Sequence, residues 1–532
     1  MSSSLVPVLR CLAAWLALAA AGSTGAAAAP SAVAVGLPGL RVSADPALPV
    51  AGRPLRLALD FHAAGDPGWC GWRPAEGAAG PALAFEQGTL VLRVERPAPP
   101  PSCEGSSPAT LDFVVPGEEI AAGLLPVEVR HVVGFLQEET LARAGVEVQP
   151  DEPALGLHGG RFRLALSWVD PADGGLRTAS AVRYSEESGA FWFLDPANPE
   201  VLVKLLDGGE INGHYWLFAA SLTELAFTLE ILDSAGGCLD LPVHPPACPT
   251  RVYHHPAGAS RNFEDVEAMA AAAPPEPPAP RTGPDELVLD PALPHRGEPL
   301  RLLSTLGADP DGWCRVGQGG VAVDADAAVL YLLVEDLWPP ILPPPCPEPP
   351  PGLAPFAWEV DTGELPAGRP NWRVAMVWSG LPPEVQQPLA ETAFELREAT
   401  APGAPPAPLV LHPALPPAER FSARVDWANP ATGETGQGRP TRLSSDSGQF
   451  TFFGPGNVEV ALKLLDGRAV NGHWWLFVSS QTRLPYTLRV ARGAGCAAPV
   501  APGPGCEVVT FEHPEGPPAN RVDIEAFAAE AP

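Results

Sequence analysis

Lysine is almost missing from this 532-residue chain: Lys204 and Lys463 are the only two, and every other basic residue among the 33 is arginine. Basic residues of both kinds are outnumbered by 62 aspartates and glutamates, giving a formal charge of −29. Nucleic acid and anionic membrane surfaces select basic patches, so this balance argues against both as partners. Long uninterrupted helical patterns are scarce, and beyond the N-terminus no stretch is apolar enough to span a bilayer. Also missing are Gly-x-Ser-x-Gly, His-Glu-x-x-His, a phosphate loop and a dinucleotide fingerprint. Proline (69) and glycine (53) are abundant, yet 46% of residues are hydrophobic, which is too many for a disordered chain. Prolines in sheet proteins sit at edges, turns and linkers. The expectation is an all-β protein, too long for a single core.

The two lysines lie in a repeat. Residues 200–219 read EVLVKLLDGGEINGHYWLFA and residues 458–479 read VEVALKLLDGRAVNGHWWLFVS. Lys204 and Lys463, Asn212 and Asn471, and Trp216 and Trp475 are all separated by 259 positions, the mark of an internal duplication. Other segments repeat with it. Asp45-Pro-Ala-Leu-Pro49 returns as Asp290-Pro-Ala-Leu-Pro294, and Gly68-Trp69-Cys70 returns as Gly312-Trp313-Cys314. Period-two alternation in stretches such as LRLAL (55–59) and LALSW (164–168) reads as strands.

These signals divide the chain. Residues 1–29 have the tripartite form of a secretory signal peptide, with Arg10, the apolar run Cys11–Ala21 and small residues at Ala26–Ala29, so the mature protein is expected to begin near Pro30. Residues 37–150 form an immunoglobulin-like module A and residues 153–270 a β-sandwich module B. A Pro-rich linker spans 271–284, module A′ covers 285–399, a second Pro-rich linker covers 401–408, and module B′ covers 409–530. The expected fold is therefore all-β, with tandem immunoglobulin-like sandwiches in an A–B–A′–B′ arrangement. Eight cysteines follow the signal segment with repeated spacing, and pairing within modules predicts Cys70–Cys103, Cys238–Cys248, Cys314–Cys346 and Cys496–Cys506.

Module B carries a recognisable pattern: Arg161-Phe162 to Trp168, Ser188-Gly189-x-Phe-x-Phe193, Asn198-x-Glu-x-x-x-Lys-x-Leu-Asp-Gly208, and Asn212 to Trp216-x-Phe218, all repeated in B′. It resembles a module at the C-terminal end of secreted bacterial proteins that has no assigned activity. Module A resembles a bacterial immunoglobulin-like domain. The resemblance implies secretion and a β-sandwich, without implying a reaction.

The candidate binding edge consists of Lys204, Asp207, Asn212, His214 and Trp216, with Lys463, Asp466, Asn471, His473 and Trp475 in the copy. Asp-Gly and Asn-Gly read as turns between strands. A mid-strand lysine can be a nucleophile when its pKa is depressed, but a stem packed along the sheet with the ammonium on a carboxylate, such as Asp207 or Asp466, is the preferred reading. The cluster Cys238, His244, Cys248, His254 and His255 has metal-ligand residue types, but B′ lacks counterparts of His244 and His254, which favours a disulfide over zinc. No cofactor and no metal is expected. Trp168, Trp192, Trp216, Trp427, Trp474 and Trp475 can supply core packing or a sugar-stacking platform, with core preferred. The function expected from sequence is that of a secreted or periplasmic, non-catalytic structural, adhesive or binding scaffold for an extracellular protein or glycan, consistent with a monomer. The alternatives are a carbohydrate-binding or protease-inhibitor-like protein, or an enzyme with an unrecognised site.

Overall fold

The computed structural model describes residues 37, 40–61, 69–75, 81–96, 103, 110–133, 137–234, 249–258, 261–271, 287–304, 316–336, 356–367, 369–379, 382, 386–397, 405–416, 419–454, 457–493, 496 and 506–529. Nearly all of the regular structure is strand, as the proline content and alternating patterns lead one to expect. The expected signal segment and most of the 271–284 linker lie outside the described residues.

Alternation works most plainly at Phe162–Val169, where Phe162, Leu164, Leu166 and Trp168 point inward and the residues between them do not. Phe421–Ala428 repeats this with Phe421, Ala423, Val425 and Trp427. Each strand lies between two neighbours in a five-stranded sheet that also includes Phe227–Asp233 in one copy and Tyr486–Arg492 in the other. A second five-stranded sheet runs Ser180–Arg183, Ser188–Trp192, Val201–Gly208, His214–Ser221, Phe263–Ala270, and its copy repeats that order strand for strand over residues 439–528. One continuous apolar core joins the two sheets in each copy.

The stretches at 37–148 and 287–397 also each hold two sheets over one core. In both, one sheet contains a parallel pair, Thr89–Glu95 with Gly123–Val133 and Val329–Asp336 with Asn371–Trp378. Two cysteine pairs are bonded, Cys70–Cys103 and Cys496–Cys506, with Cα atoms 5.7 Å and 5.6 Å apart, within the range a disulfide requires. Cys238, Cys248, Cys314 and Cys346 lie outside the described residues.

The copies are interlocked. The sheet containing Val201–Gly208 lays its outer face against the sheet containing Val458–Gly467, so these central strands are buried on both sides. Val182, Tyr184, Ala190, Leu202, Ala220 and Leu222 form one apolar cluster with Leu443, Val458 and Ala461. Polar contacts at its margin are reciprocal: Asn262 Nδ2 donates to Ser480 O (2.6 Å) and Asn520 Nδ2 donates to Ser221 O (3.0 Å). The first sandwich docks on the fourth, where Ala47 N donates to Leu443 O (2.8 Å) and Ser445 N donates to Asp45 Oδ1 (3.0 Å). The third docks on the second through Ala292 N to Tyr184 O (3.0 Å). Leu443 and Tyr184 are equivalent positions in the repeat, so the contacts cross between halves in both directions. The first and third sandwiches also touch: the Asn371 amide accepts from Val42 N (3.2 Å) and donates to Val42 O (2.8 Å), as a strand neighbour would.

These contacts predict that the halves hold together without their covalent link. With a protease site engineered into residues 271–284 and then cut, the protein should elute as one particle on native size exclusion and as two fragments only under denaturing conditions. Two native species would refute the interlock.

Candidate functional site

The lysines occupy the centre of the contact between the copies. In Val201–Gly208, Val201, Val203 and Leu205 face the module's own core, so Leu202 and Lys204 face outward, into the opposite copy. Lys204 is 3% exposed. Its ammonium donates to Asn457 Oδ1 (2.6 Å), Val458 O (2.9 Å) and Gln481 O (3.4 Å), all in the other half, and lies 5.2 Å from the centre of its own strand neighbour Phe218. Lys463 mirrors it, reaching Pro199 O at 3.5 Å and standing 5.2 Å from the Phe477 ring.

Each ammonium faces a buried carboxylate across the contact, Lys204 with Glu459 and Lys463 with Glu200. The carboxylates are anchored at home. Glu200 Oε2 accepts from Phe193 N (2.8 Å) and Oε1 from Asn198 Nδ2 (2.7 Å), while Glu459 Oε2 accepts from Phe452 N (2.6 Å). Burial pushes both lysines well below their ordinary range, and the facing carboxylate opposes this in each case. Burial pushes both glutamates upward, opposed first by the facing lysine. Two buried charges of opposite sign are thus matched twice, once in each direction between the copies.

Glu200 and Glu459 are absent from the candidate edge read from sequence, although they share the 259-residue offset and stand in the Asn-x-Glu-x-x-x-Lys pattern. Local reasoning offered Asp207 and Asp466 as lysine partners. The structure instead makes Asp207 Oδ1 the acceptor for Gly209 N (2.8 Å) and pairs Asp466 with Arg468 (2.6 Å). The reason is the pleat and strand length: Asp207 is three residues on, on the opposite face, at the exposed end of the strand.

The rest of the predicted edge is brought together at the far end of the same hairpin. The Asp-Gly pair is not the turn. The strand runs through Gly208, and one helical turn, Gly209–Asn212, makes the connection, closed by Gly213 at φ +76°. Gly208 is glycine because the Trp216 indole lies on it; a Cβ there would stand 2.2 Å from Nε1. Asn212 organises the crest. Its Oδ1 accepts from Trp216 Nε1 (2.9 Å) and His214 N (3.2 Å), and its Nδ2 donates to Val266 O (2.7 Å). Asn471 does the same with Trp475 Nε1 (2.9 Å), His473 N (3.2 Å) and Ile524 O (2.8 Å). His214 and His473 each bond the preceding asparagine carbonyl through Nδ1 at 2.9 Å.

The other candidates separate. Trp168, Trp192, Trp427 and Trp474 are buried, whereas Trp216 and Trp475 are half-buried on an outer face. His255 stacks on Phe227 at 4.4 Å and His513 on Tyr486 at 4.9 Å, which makes both core histidines. His254 bonds Thr228 Oγ1 (3.0 Å) on the strand surface, and Cys238, His244 and Cys248 lie outside the described residues. Among the described residues no group of three or more His, Cys, Asp or Glu side chains is placed to hold a metal ion. No protein-family model, no curated protein and no solved structure matches this chain.

Removing one partner of a buried pair should cost far more than removing both. Lys204→Met alone leaves Glu459 without its counter-charge and should lower unfolding stability by about 3–5 kcal/mol, and Lys204→Met with Glu459→Gln should recover most of that. A double-mutant cycle by chemical denaturation measures the difference. The single variant's deficit should also shrink on acidification from about pH 8 to about pH 5. A glutamate whose folded pKa is raised contributes stability below its unfolded pKa and loses it as pH rises through the folded one, and loss of Lys204 raises Glu459 further.

Proposed function

We propose that this chain is an exported, non-catalytic scaffold in which two A–B units fold against each other and present their loop edges to a binding partner outside the cytoplasm. The observation that carries this reading is the employment of the polar residues that both copies keep. Lys204 and Lys463 are consumed by the contact between copies, and Asn212 and Asn471 are consumed by the hairpin crests. His255 and His513 are packed in the cores. A nucleophilic or general-base lysine needs access to a substrate, and these ammonium groups face the protein interior. The N-terminal tripartite pattern and the two bonded cysteine pairs support export to an oxidising compartment. The resemblance of module B to secreted bacterial modules points the same way. On this reading the chain is a tandem A–B–A′–B′ array whose repetition supplies two equivalent presenting edges.

Two measurements test the proposal. Exported material should begin near Pro30 by N-terminal sequencing; an intact Met1 in exported protein would refute the processing. Full-length protein with Lys204→Met and Lys463→Met should show a lower melting temperature, while His214→Ala with His473→Ala should melt within a few degrees of the parent, a shift of ~1 kcal/mol at most. Any hydrolase, transferase or oxidoreductase turnover present in the parent and lost in a folded variant sinks the non-catalytic reading.

A further inference from the structure

Trp216 and Trp475 stand apart from the other repeated aromatics. Tyr215 and Leu217, and in the copy Trp474 and Leu476, point into the cores, so Trp216 and Trp475 lie on outer sheet faces and are half-buried. One face of each indole rests on backbone: a Cβ at Gly208 would lie 2.2 Å from Trp216 Nε1, and one at Gly467 would lie 2.1 Å from Trp475 Nε1. The ring edge is tied by the Nε1–Asn Oδ1 bond of 2.9 Å in both copies, and each asparagine is itself fixed to a neighbouring strand carbonyl. The placement of each ring is therefore held from two sides before any ligand arrives. Among the described residues no aromatic ring or cationic group stacks on Trp216 or Trp475; Arg468 sits over the buried neighbour Trp474 instead. Each crest also exposes one aliphatic side chain, Ile211 at 74% and Val470 at 75%.

We propose that Trp216 and Trp475 are two equivalent stacking platforms for the apolar face of a hexose ring in a neutral glycan, with His214/His473 as rim groups for sugar hydroxyls. This rests on the scaffold reading and gives its ligand class. A fixed aromatic face beside an imidazole matches a ring that is apolar on its faces and hydroxylated at its edge. The formal charge of −29 repels uronic and sulfated polymers and selects neutral ones. Two platforms on one body suit a repeating polymer, which can engage both at once.

Affinity electrophoresis of the full chain in gels containing laminarin, hydroxyethylcellulose, glycogen or galactomannan tests this. The parent should be retarded in at least one gel. Trp216→Leu and Trp475→Leu keep an apolar cover on the glycine but remove the ring; each should weaken retention at least about tenfold, and the pair should abolish it. Should the leucine pair lose its cooperative melt, His214→Ala with His473→Ala serves in its place and should weaken retention in the same gels. Absence of retardation of the parent in all four gels, or retention unchanged in the folded double variant, overturns the platform. Reducing ends released from the retarding polymer would overturn the non-catalytic reading while leaving the platform in place, so the two failures are distinguishable.

Discussion

The structure depends on a crossed pair of charges. Lys204 reaches into the second copy toward Glu459, and Lys463 reaches back toward Glu200, each through a contact otherwise made of leucine, valine, alanine and tyrosine. Taking four ionisable groups out of water is expensive, and a buried pair seldom exceeds an apolar replacement in stability. What it does supply is discrimination. A register shift of one residue, or a rotation of one sheet over the other, would leave four charges buried without counter-charges, whereas an apolar contact would tolerate several arrangements. The backbone partners sharpen this further. Asn457 Oδ1, Val458 O and Gln481 O receive Lys204 only in one relative placement of the sheets. The two sides are not equal: Asn198 turns its amide nitrogen to Glu200 and leaves its own Oδ1 buried without a hydrogen-bond partner. The duplication has drifted from symmetry where a second copy no longer has to match the first.

Around that centre the remaining contacts are arranged as crossings. The loop after Asp45 lies on the fourth sandwich, and the loop after Asp290 lies on the second. A homodimer formed by one A–B unit would make each of these contacts twice by symmetry. Here a single chain makes them between unequal copies, and residues on one side are free to diverge. Glu298 pairing with Arg439 (2.5 Å) on the third and fourth sandwiches is one outcome: the equivalent position in the first half is Arg53, which lies over Trp192.

Much of this was legible in the sequence where the signal was local. The all-β class, the strands of the second and fourth sandwiches, and the left-handed glycines at 213 and 472 follow from alternation and turn chemistry. What was not legible came from distance. No local pattern joins Lys204 to a residue 253 positions away, so the nearest acid in sequence, Asp207, was the natural but incorrect partner. The parallel strand pairs in the first and third sandwiches were hidden for the same reason, since alternation reports which face a residue takes and is silent on which neighbour the strand takes. Gly208 was read as a turn glycine because Asp-Gly usually is one; the cause here is an indole eight residues later in the chain. Which of Trp474 and Trp475 faces outward is set by pleat phase: Trp474 takes the core position of Tyr215 and Trp475 the outer position of Trp216.

The crossing of the first sandwich onto the fourth has a consequence for how the protein comes into being. Asp45 waits for Ser445, 400 residues later, and Val42 waits for Asn371. A chain emerging N-terminus first, from a ribosome or through a secretion pore, can close the core of each sandwich as it appears, but it cannot bury the outer face carrying Leu202 and Lys204 until the last strands arrive. For most of its synthesis the nascent protein carries an exposed lysine in an apolar sheet. That single charge is the kind of gatekeeper that keeps an open sheet face from adhering to another copy of itself. The residue that specifies the finished contact is then also a charge that any premature partner of that face would have to desolvate.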